Sequence, residues 1–462
     1  MVEVQPCSVK AVNAPASQAA ADSVDPAAIS RLRAVLLRGV QQALHSQEAE
    51  ALLGELVGAD SLDRSEAGWM KLRKVLVEGM AQAYYAAYTG YAGSRLRCGC
   101  GRTARFVRYA SKRITLGLGE VTLQRAEYAC PSCGSFRPLD TAWDLPQGRY
   151  SRAVVRLVSL VGAEMPFARA AEMLWQAAGL SVSATEVRIL CERVGEKLGE
   201  QKAAEVEAAE AGELRHPPAA DVLILASDGA HVNTREEGWK ETKVAVAVRC
   251  QRDVEADGRA VLRTQGAEST AHLGRAEAFG RELYWLACRQ GERGREATLF
   301  LGDGSPWIWN LADELFPHAR KLLDFYHLAE HVHQTARELH GEGTEGAIRW
   351  AEGMLSRLRA GEVDRVLAEL SPPGSPMPEP LRKLAHSLEA NRSRMDYPSF
   401  ERAGYPIGSG VVESACKQVV HARHRQAGMR WGKAHVQKML DLVCCLRSHR
   451  WEAFWATKPA VA

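Results

Sequence analysis

Apolar positions along this chain follow two periods, and the change from one to the other marks its parts. From Asp25 the residues Ile29, Leu32, Leu36, Val40 and Leu44 recur at helical spacing, with Asp25 as N-cap and Pro26 at the first helical position. Trp69, Leu72, Leu76, Met80 and Tyr84 form a second stripe of the same period. Residues 25–92 are therefore predicted as a helical N-terminal domain. Residues 1–24, rich in Ala, Ser, Pro and Val and without a stripe, are predicted as a disordered tail. Short strand patterns follow at Ala104–Tyr109 and Val121–Tyr128. Helical spacing returns with Phe167, Ala170, Ala171 and Leu174, stops near Gly179, and resumes after the capping box Ser183-Ala-Thr-Glu186 with Val187, Leu190 and Val194. This predicts a helix-turn-helix over 148–216.

From Asp221 the pattern becomes strand-like in DVLILASD, in Lys243–Cys250 and in Val261–Gln265. A helix carrying Leu273, Phe279, Leu283 and Leu286 comes next, then two apolar runs, Thr298–Gly302 and Lys321–Phe325. Three strands, a helix and further strands predict an α/β order for 217–335. Residues 336–404 read as a helical insertion through Ile348, Leu355 and Leu358, broken by SPPGSPMPEP at 371–380. Tyr405–Gly410 is a loop, and Val411–Lys417 starts a new helix in the last part, 405–462.

Composition narrows the class. The chain has 462 residues, 46% hydrophobic and 25% charged, which predicts several globular domains. It has no apolar run of about 18 residues or more, so no membrane span is expected. The N-terminus lacks a secretory pattern, and a cytoplasmic location is expected. With that location, the eleven cysteines read as thiols or metal ligands rather than disulfides. The net charge of +3 says little, but its distribution says more. Lys417–Lys458 holds nine Lys or Arg against Asp441 and Glu452, and Arg423, Arg425, Arg430, Trp431 and Lys433 cluster there. Such a patch suits a phosphate backbone with Trp431 stacking on a base; a solvated basic face with a core Trp is the plainer alternative.

Two constellations carry chemistry. Cys98-Gly-Cys100 and Cys130-Pro-Ser-Cys133 flank the predicted hairpin and suit a four-thiolate zinc site, here a zinc ribbon over 93–147, although the first pair is one residue tighter than the usual C-x-x-C. Arginines 102, 105 and 108 with Lys112 and Arg113 lie around it. The second constellation is acidic. Asp228, Asp303 and Asp324 end apolar runs, where α/β sheets bind ligands, and Glu413 sits on a predicted helix. Each has a plainer reading. Asp228 and Asp303 precede glycines as turns do, and Glu413 is placed for an i,i+4 pair with Lys417. His327-Leu-Ala-Glu330-His331 also matches an inverted zinc-protease pattern, which would leave the acids without a role.

The set DGAHV, LGDGSPWIW, LLDFYHLAEHV, PIGSGVVESACK and RQAGMRW resembles the DDE transposases of bacterial insertion sequences, in particular the ISKra-type family, over roughly residues 95–455. The resemblance implies an α+β multidomain chain whose ribonuclease-H-like catalytic domain is split by a helical insertion. It places the catalytic acids on Asp228, Asp303 and Glu413 and an Asp-x-x-His element on Asp324 and His327. The activity implied is DNA cleavage and strand transfer at element ends. Three such acids would hold two Mg²⁺ or Mn²⁺ ions about 4 Å apart, with Asp324 and His327 contacting the scissile phosphate or orienting ligands. Thr185 and Arg188 would read base edges from the second helix, and Lys417, Arg423, Arg425, Arg430, Trp431 and Lys433 would hold DNA. One structural Zn²⁺, terminal-repeat and target DNA as partners, a homo-oligomer on DNA and a nucleoid-associated site are further expectations. A domesticated, inactive DNA-binding protein is the alternative. The N-terminal helices match the family least.

Overall fold

The structure is a computed structural model that describes residues 25–215, 217, 220–292, 297–370 and 377–461; the expected tail and residues 371–376 of the proline-rich stretch lie outside them. The chain divides into two compact units, and the division falls between Leu190 and Cys191 rather than at the expected boundary of 216.

The first unit begins with helices α1 (Pro26–Leu44), α2 (Gln47–Val57) and α3 (Leu62–Ala86). Asp25 caps α1 as expected, its side chain accepting from the Ala27 N–H. Helices α1 and α3 cross at Gly39 and Gly79, where a Cβ on Gly39 would sit 2.7 Å from the Gly79 carbonyl oxygen. Glycine at this crossing is what lets the backbones touch. Ala49, Leu52 and Leu72 form the core beside the crossing, whereas Trp69 of the expected stripe is exposed. Strands β1 (Arg95–Arg97), β2 (Thr103–Leu116), β3 (Gly119–Cys130) and β4 (Gly134–Phe136) form an antiparallel sheet in that order. The two central strands outrun the sequence reading because their outward positions are polar, so no apolar run marks their ends. Helices α4 (Pro138–Ala142), α5 (Arg152–Glu164) and α6 (Phe167–Ala178) follow. Gly179, at φ 64°, ends α6, and the Ser183–Glu186 capping box opens α7 (Ala184–Glu210) as predicted.

The second unit is built on a mixed five-stranded sheet in the order β7 (Ala260–His272), β6 (Gly238–Val254), β5 (Val222–Thr234), β8 (Thr298–Gly302), β9 (Arg320–Leu323). The first three strands pair antiparallel, while β8 and β9 run parallel to β5. Every residue of β8 is buried, which explains its unbroken apolar run. Around the sheet lie α8 (Ala276–Arg289), α9 (Pro306–Leu315) and α10 (Phe325–His340). The segment expected as an insertion forms α11 (Glu345–Arg359), α12 (Val363–Leu370), α13 (Glu379–Ala390) and α14 (Tyr397–Arg402). Helix α15 (Gly410–Ala415) continues through a π-helical stretch, Cys416–His421, into α16 (Ala422–His424); α17 (Lys433–Arg447) and α18 (Trp451–Ala456) close the unit. The fold is thus α+β with a mixed sheet. Among the described residues no helix is long and apolar enough to cross a membrane.

Candidate functional site

Strands β5 and β8 place two carboxylates side by side. Their parallel register ends at Ser227 opposite Gly302, and Asp228 and Asp303 follow directly on each strand. The two backbones are therefore about one strand spacing, roughly 4.8 Å, apart. Asp228 accepts a 2.6 Å hydrogen bond from the Gly229 N–H. Burial pushes its carboxyl above the usual range, and the nearby Asp303 charge adds to that rise. Asp303 is held by Ser305, whose N–H donates to one oxygen at 2.8 Å and whose hydroxyl donates to the other at 3.0 Å. Only Asp303 lies at a turn, as its glycine suggested; Asp228 sits in mid-strand on β5, paired with Val244 of β6, because β5 runs on past it to Thr234.

The helix segment Gly410–His421 packs on the same sheet. Its Cys416 Sγ lies 3.6 Å from Asp228 Oδ2. Burial, then the Asp228 charge, drives the Cys416 thiol upward, so it stays protonated and donates. Glu413, one turn earlier, is exposed and sits 3.7 Å from Lys417, the i,i+4 pair allowed for by the sequence. Among the described residues, three or more His, Cys, Asp or Glu groups converge within 4.8 Å only at the four cysteines, so the acids stand near one another without closing into one cluster.

Asp324 sits differently from the other acids. It is 1% exposed and caps α10, one oxygen accepting from the N–H groups of Tyr326 at 2.6 Å and His327 at 3.1 Å. The other oxygen accepts from the Ser409 N–H at 2.8 Å and from the Ser409 hydroxyl. Of the two roles expected for it, this geometry fits positioning and not contact with a phosphate. It ties the end of β9 and the start of α10 to the loop that leads into the Glu413 helix. His327 and His331 meet edge to face one turn apart on α10, with ring centroids 5.0 Å apart. His331 is held below the usual histidine range by burial and then by the His327 charge, and Asp303 acts on it in the opposite sense. The inverted zinc-protease pattern therefore lies on one helix, but Glu330 points to solvent with an 81% exposed side chain.

The basic cluster needs correction. Trp431 is 6% exposed and Arg423 2%, with the guanidinium stacked 4.8 Å over the indole. The Trp431 backbone accepts from the Arg235 N–H at 2.8 Å and donates to Asn233 at 2.9 Å, joining the β5 end. Neither side chain is placed to touch DNA; the plainer reading of a core Trp is the one observed. Lys417, Arg425, Arg430 and Lys433 are exposed. A residue missed by the sequence reading is Trp239, 56% exposed at the start of β6 with the Arg425 guanidinium 5.3 Å over its ring. Cys416 was also missed, since only the fold brings it to Asp228.

In the first unit, Thr185 is exposed on the first turn of α7, and Arg188 one turn on is half-buried and engaged by neighbours. The four cysteines Cys98, Cys100, Cys130 and Cys133 place their sulfurs within 4.8 Å of one another, and Cys100 lies 3.6 Å from Cys130. Tetrahedral zinc with bonds of about 2.3 Å separates its sulfurs by roughly 3.8 Å, so the cluster could bind a structural metal such as zinc. The tight first pair is accommodated by a turn in which Gly101, at φ 87°, donates to the Cys98 carbonyl at 2.9 Å. N–H groups of Ser132 and Cys133 lower the Cys130 thiol to about 7, the Ser132 contribution being the larger.

No known protein-family model matches this chain, and no curated protein matches it significantly.

Proposed function

We propose that this chain is a DDE-type DNA transposase of the kind its motifs resemble, with a ribonuclease-H-like catalytic unit, a zinc ribbon and a helix-turn-helix. The observation that carries the reading is the pair Asp228 and Asp303 on adjacent parallel strands, just beyond the last paired positions Ser227 and Gly302, with the helix segment that carries Glu413 packed there through Cys416. A partly buried carboxylate raised by its neighbour is the environment that a divalent cation relieves. Asp228 and Asp303 therefore fit Mg²⁺ or Mn²⁺ ligands, and Glu413 would join them on leaving Lys417. Bound there, the ions would activate the attacking oxygen and stabilise the leaving oxygen of an in-line phosphoryl displacement. Cys416 steadies Asp228 by donation, Ser305 fixes Asp303, and Asp324 holds the loop before Glu413. His327, partly exposed beside these acids, is placed to meet a phosphate. Thr185 and Arg188 are proposed as base readers, and Lys417, Arg425, Arg430 and Lys433 as backbone contacts.

The open arrangement of the acids favours a second reading, a transposase-derived DNA-binding protein without cleavage activity. The test is cleavage and strand transfer on DNA carrying the element's ends, comparing wild type with Glu413→Gln in Mg²⁺ or Mn²⁺. Metal-dependent cleavage lost in the variant is the expected outcome. Tight binding with no cleavage by wild type would favour the binder.

A further inference from the structure

One end of a face of the antiparallel sheet in the first unit carries three arginines whose side chains have no acidic partner among the described residues. Arg95 pairs directly opposite Arg105, and Arg97 lies two residues along β1 from Arg95, so all three side chains stand on one face. All three are exposed. Further along that face, Arg108 and Arg137 both bond one carboxylate, Glu127, each at 2.8 Å. The first three arginines, by contrast, have no ion pair or hydrogen-bond partner among the described residues. The opposite face is spent on the core, where Leu96, Ala104, Phe106 and Tyr128 pack around Cys98 and Cys130.

Like charges directly opposite one another across strands are destabilising. A sequence that places arginine opposite arginine, with a third beside them and the neighbouring carboxylate of Glu127 already taken by Arg108 and Arg137, is arranged for an external anion. We propose that this face, centred on Arg95, Arg97 and Arg105, is a phosphate-backbone contact surface for duplex DNA, independent of Thr185, Arg188 and the basic C-terminal residues. The choice of DNA among polyanions rests on the function proposed above. The spacing of the row supports it: residues two apart on a strand are roughly 6.6–6.8 Å apart, close to the distance between successive phosphates along one strand of DNA. Arginine also suits phosphate through its bidentate fork. The competing role for these charges is to blunt the edge strand β1 against aggregation.

The two roles separate by salt dependence. Binding of the full chain to duplex DNA lacking the element's ends would be followed by fluorescence anisotropy from 50 to 300 mM salt, without divalent cation. Each phosphate contact contributes about 0.9 to the slope of log K against log salt, so Arg95→Ala, Arg97→Ala and Arg105→Ala together should flatten it by about 2.7. The triple lysine variant should keep the wild-type slope, and bound zinc in both reports that the sheet is intact. An unchanged slope in a zinc-loaded alanine variant would overturn the proposal. So would loss of binding to phosphatidylserine vesicles with the DNA slope unchanged. Cleavage is measured apart from this, so a flattened slope in a protein that never cleaves refutes the transposase and keeps the surface. Normal cleavage with an unchanged slope does the reverse.

Discussion

Replacing Asp324 separates a positioning carboxylate from one that works on substrate. Its two oxygens accept four hydrogen bonds in a site 1% exposed: two from the first turn of α10 and two from Ser409. In Asp324→Asn the oxygen can keep the cap, but the amide then turns a donor toward the Ser409 N–H. One buried donor left unsatisfied costs about 1–3 kcal/mol. In Asp324→Ala the cap is also lost, at about 1 kcal/mol, which brings the total to roughly 2–4 kcal/mol. For a unit of this size about 1 kcal/mol moves Tm by roughly 2–4 °C, so Asn should lower its melting transition by about 2–12 °C and Ala by about 4–16 °C. Differential scanning calorimetry without divalent cation measures both, and Asp228→Asn serves as the comparison. A melting temperature equal to wild type in Asp324→Ala would refute the positioning role and restore Asp324 to the substrate.

If the proposed transposase activity holds, Asp228→Asn should reduce cleavage about 10²–10³-fold, in line with loss of a preorganised electrostatic group. Because the folded Asp228 carboxyl titrates above its unfolded value, its contribution is present at low pH and lost as pH rises through the folded pKa. The asparagine variant should therefore equal or exceed wild type in stability at neutral pH, and a clear loss in urea titration would contradict that. Cys130→Ser with Cys133→Ser should release one zinc per chain, read by plasma emission; unchanged metal content would remove the four-thiolate site. Buried His424 is depressed to about 3 by desolvation and then by Arg423, so the stability tied to its neutral form is present above about 6.5 and falls as pH drops toward 3. Between pH 6.5 and 5 this amounts to roughly 2 kcal/mol, and a flat stability profile there would show His424 to be solvated. Trp239→Ala should weaken single-stranded DNA binding by about 1–3 kcal/mol if its exposed ring stacks on a base, whereas Trp431→Ala should act through stability.

What could be read from the sequence was whatever depends on neighbours along the chain. The β5 and β8 cores, the Asp25 cap, the Ser183–Glu186 box and both cysteine pairs rest on local spacing, and the structure keeps them. The basic cluster after Glu413 was misread in part because Arg423 and Trp431 satisfy each other across seven residues of turn, a contact that composition presents as surface charge beside an aromatic. Trp239 escaped notice for the converse reason. Its partner Arg425 is far away in sequence, and nothing local marks the start of β6 as exposed. Asp324 was legible as the end of an apolar run; that both its oxygens would be consumed depends on Ser409 arriving from a distant loop.

The position of Glu413 follows the same logic at lower energy. Cys416 and Glu413 are three residues apart, so a helical rise of about 1.5 Å per residue separates them by roughly 4.5 Å along the axis on nearly the same face. The contact between Cys416 and Asp228 thus fixes the backbone that carries Glu413 within a turn of the aspartate pair. Glu413 itself is exposed and paired at 3.7 Å with Lys417. Such a pair is worth about 0–1 kcal/mol, so on the proposed reading it is a weak competitor for Glu413. The π-helical stretch that begins at Cys416 makes this workable. A π segment is a local departure from the α-helical hydrogen-bond ladder and is frequent at functional sites; here its Val419 and Val420 are buried, while Glu413 on the preceding turn is exposed. The helix is anchored to the sheet by its thiol and leaves its carboxylate free to move.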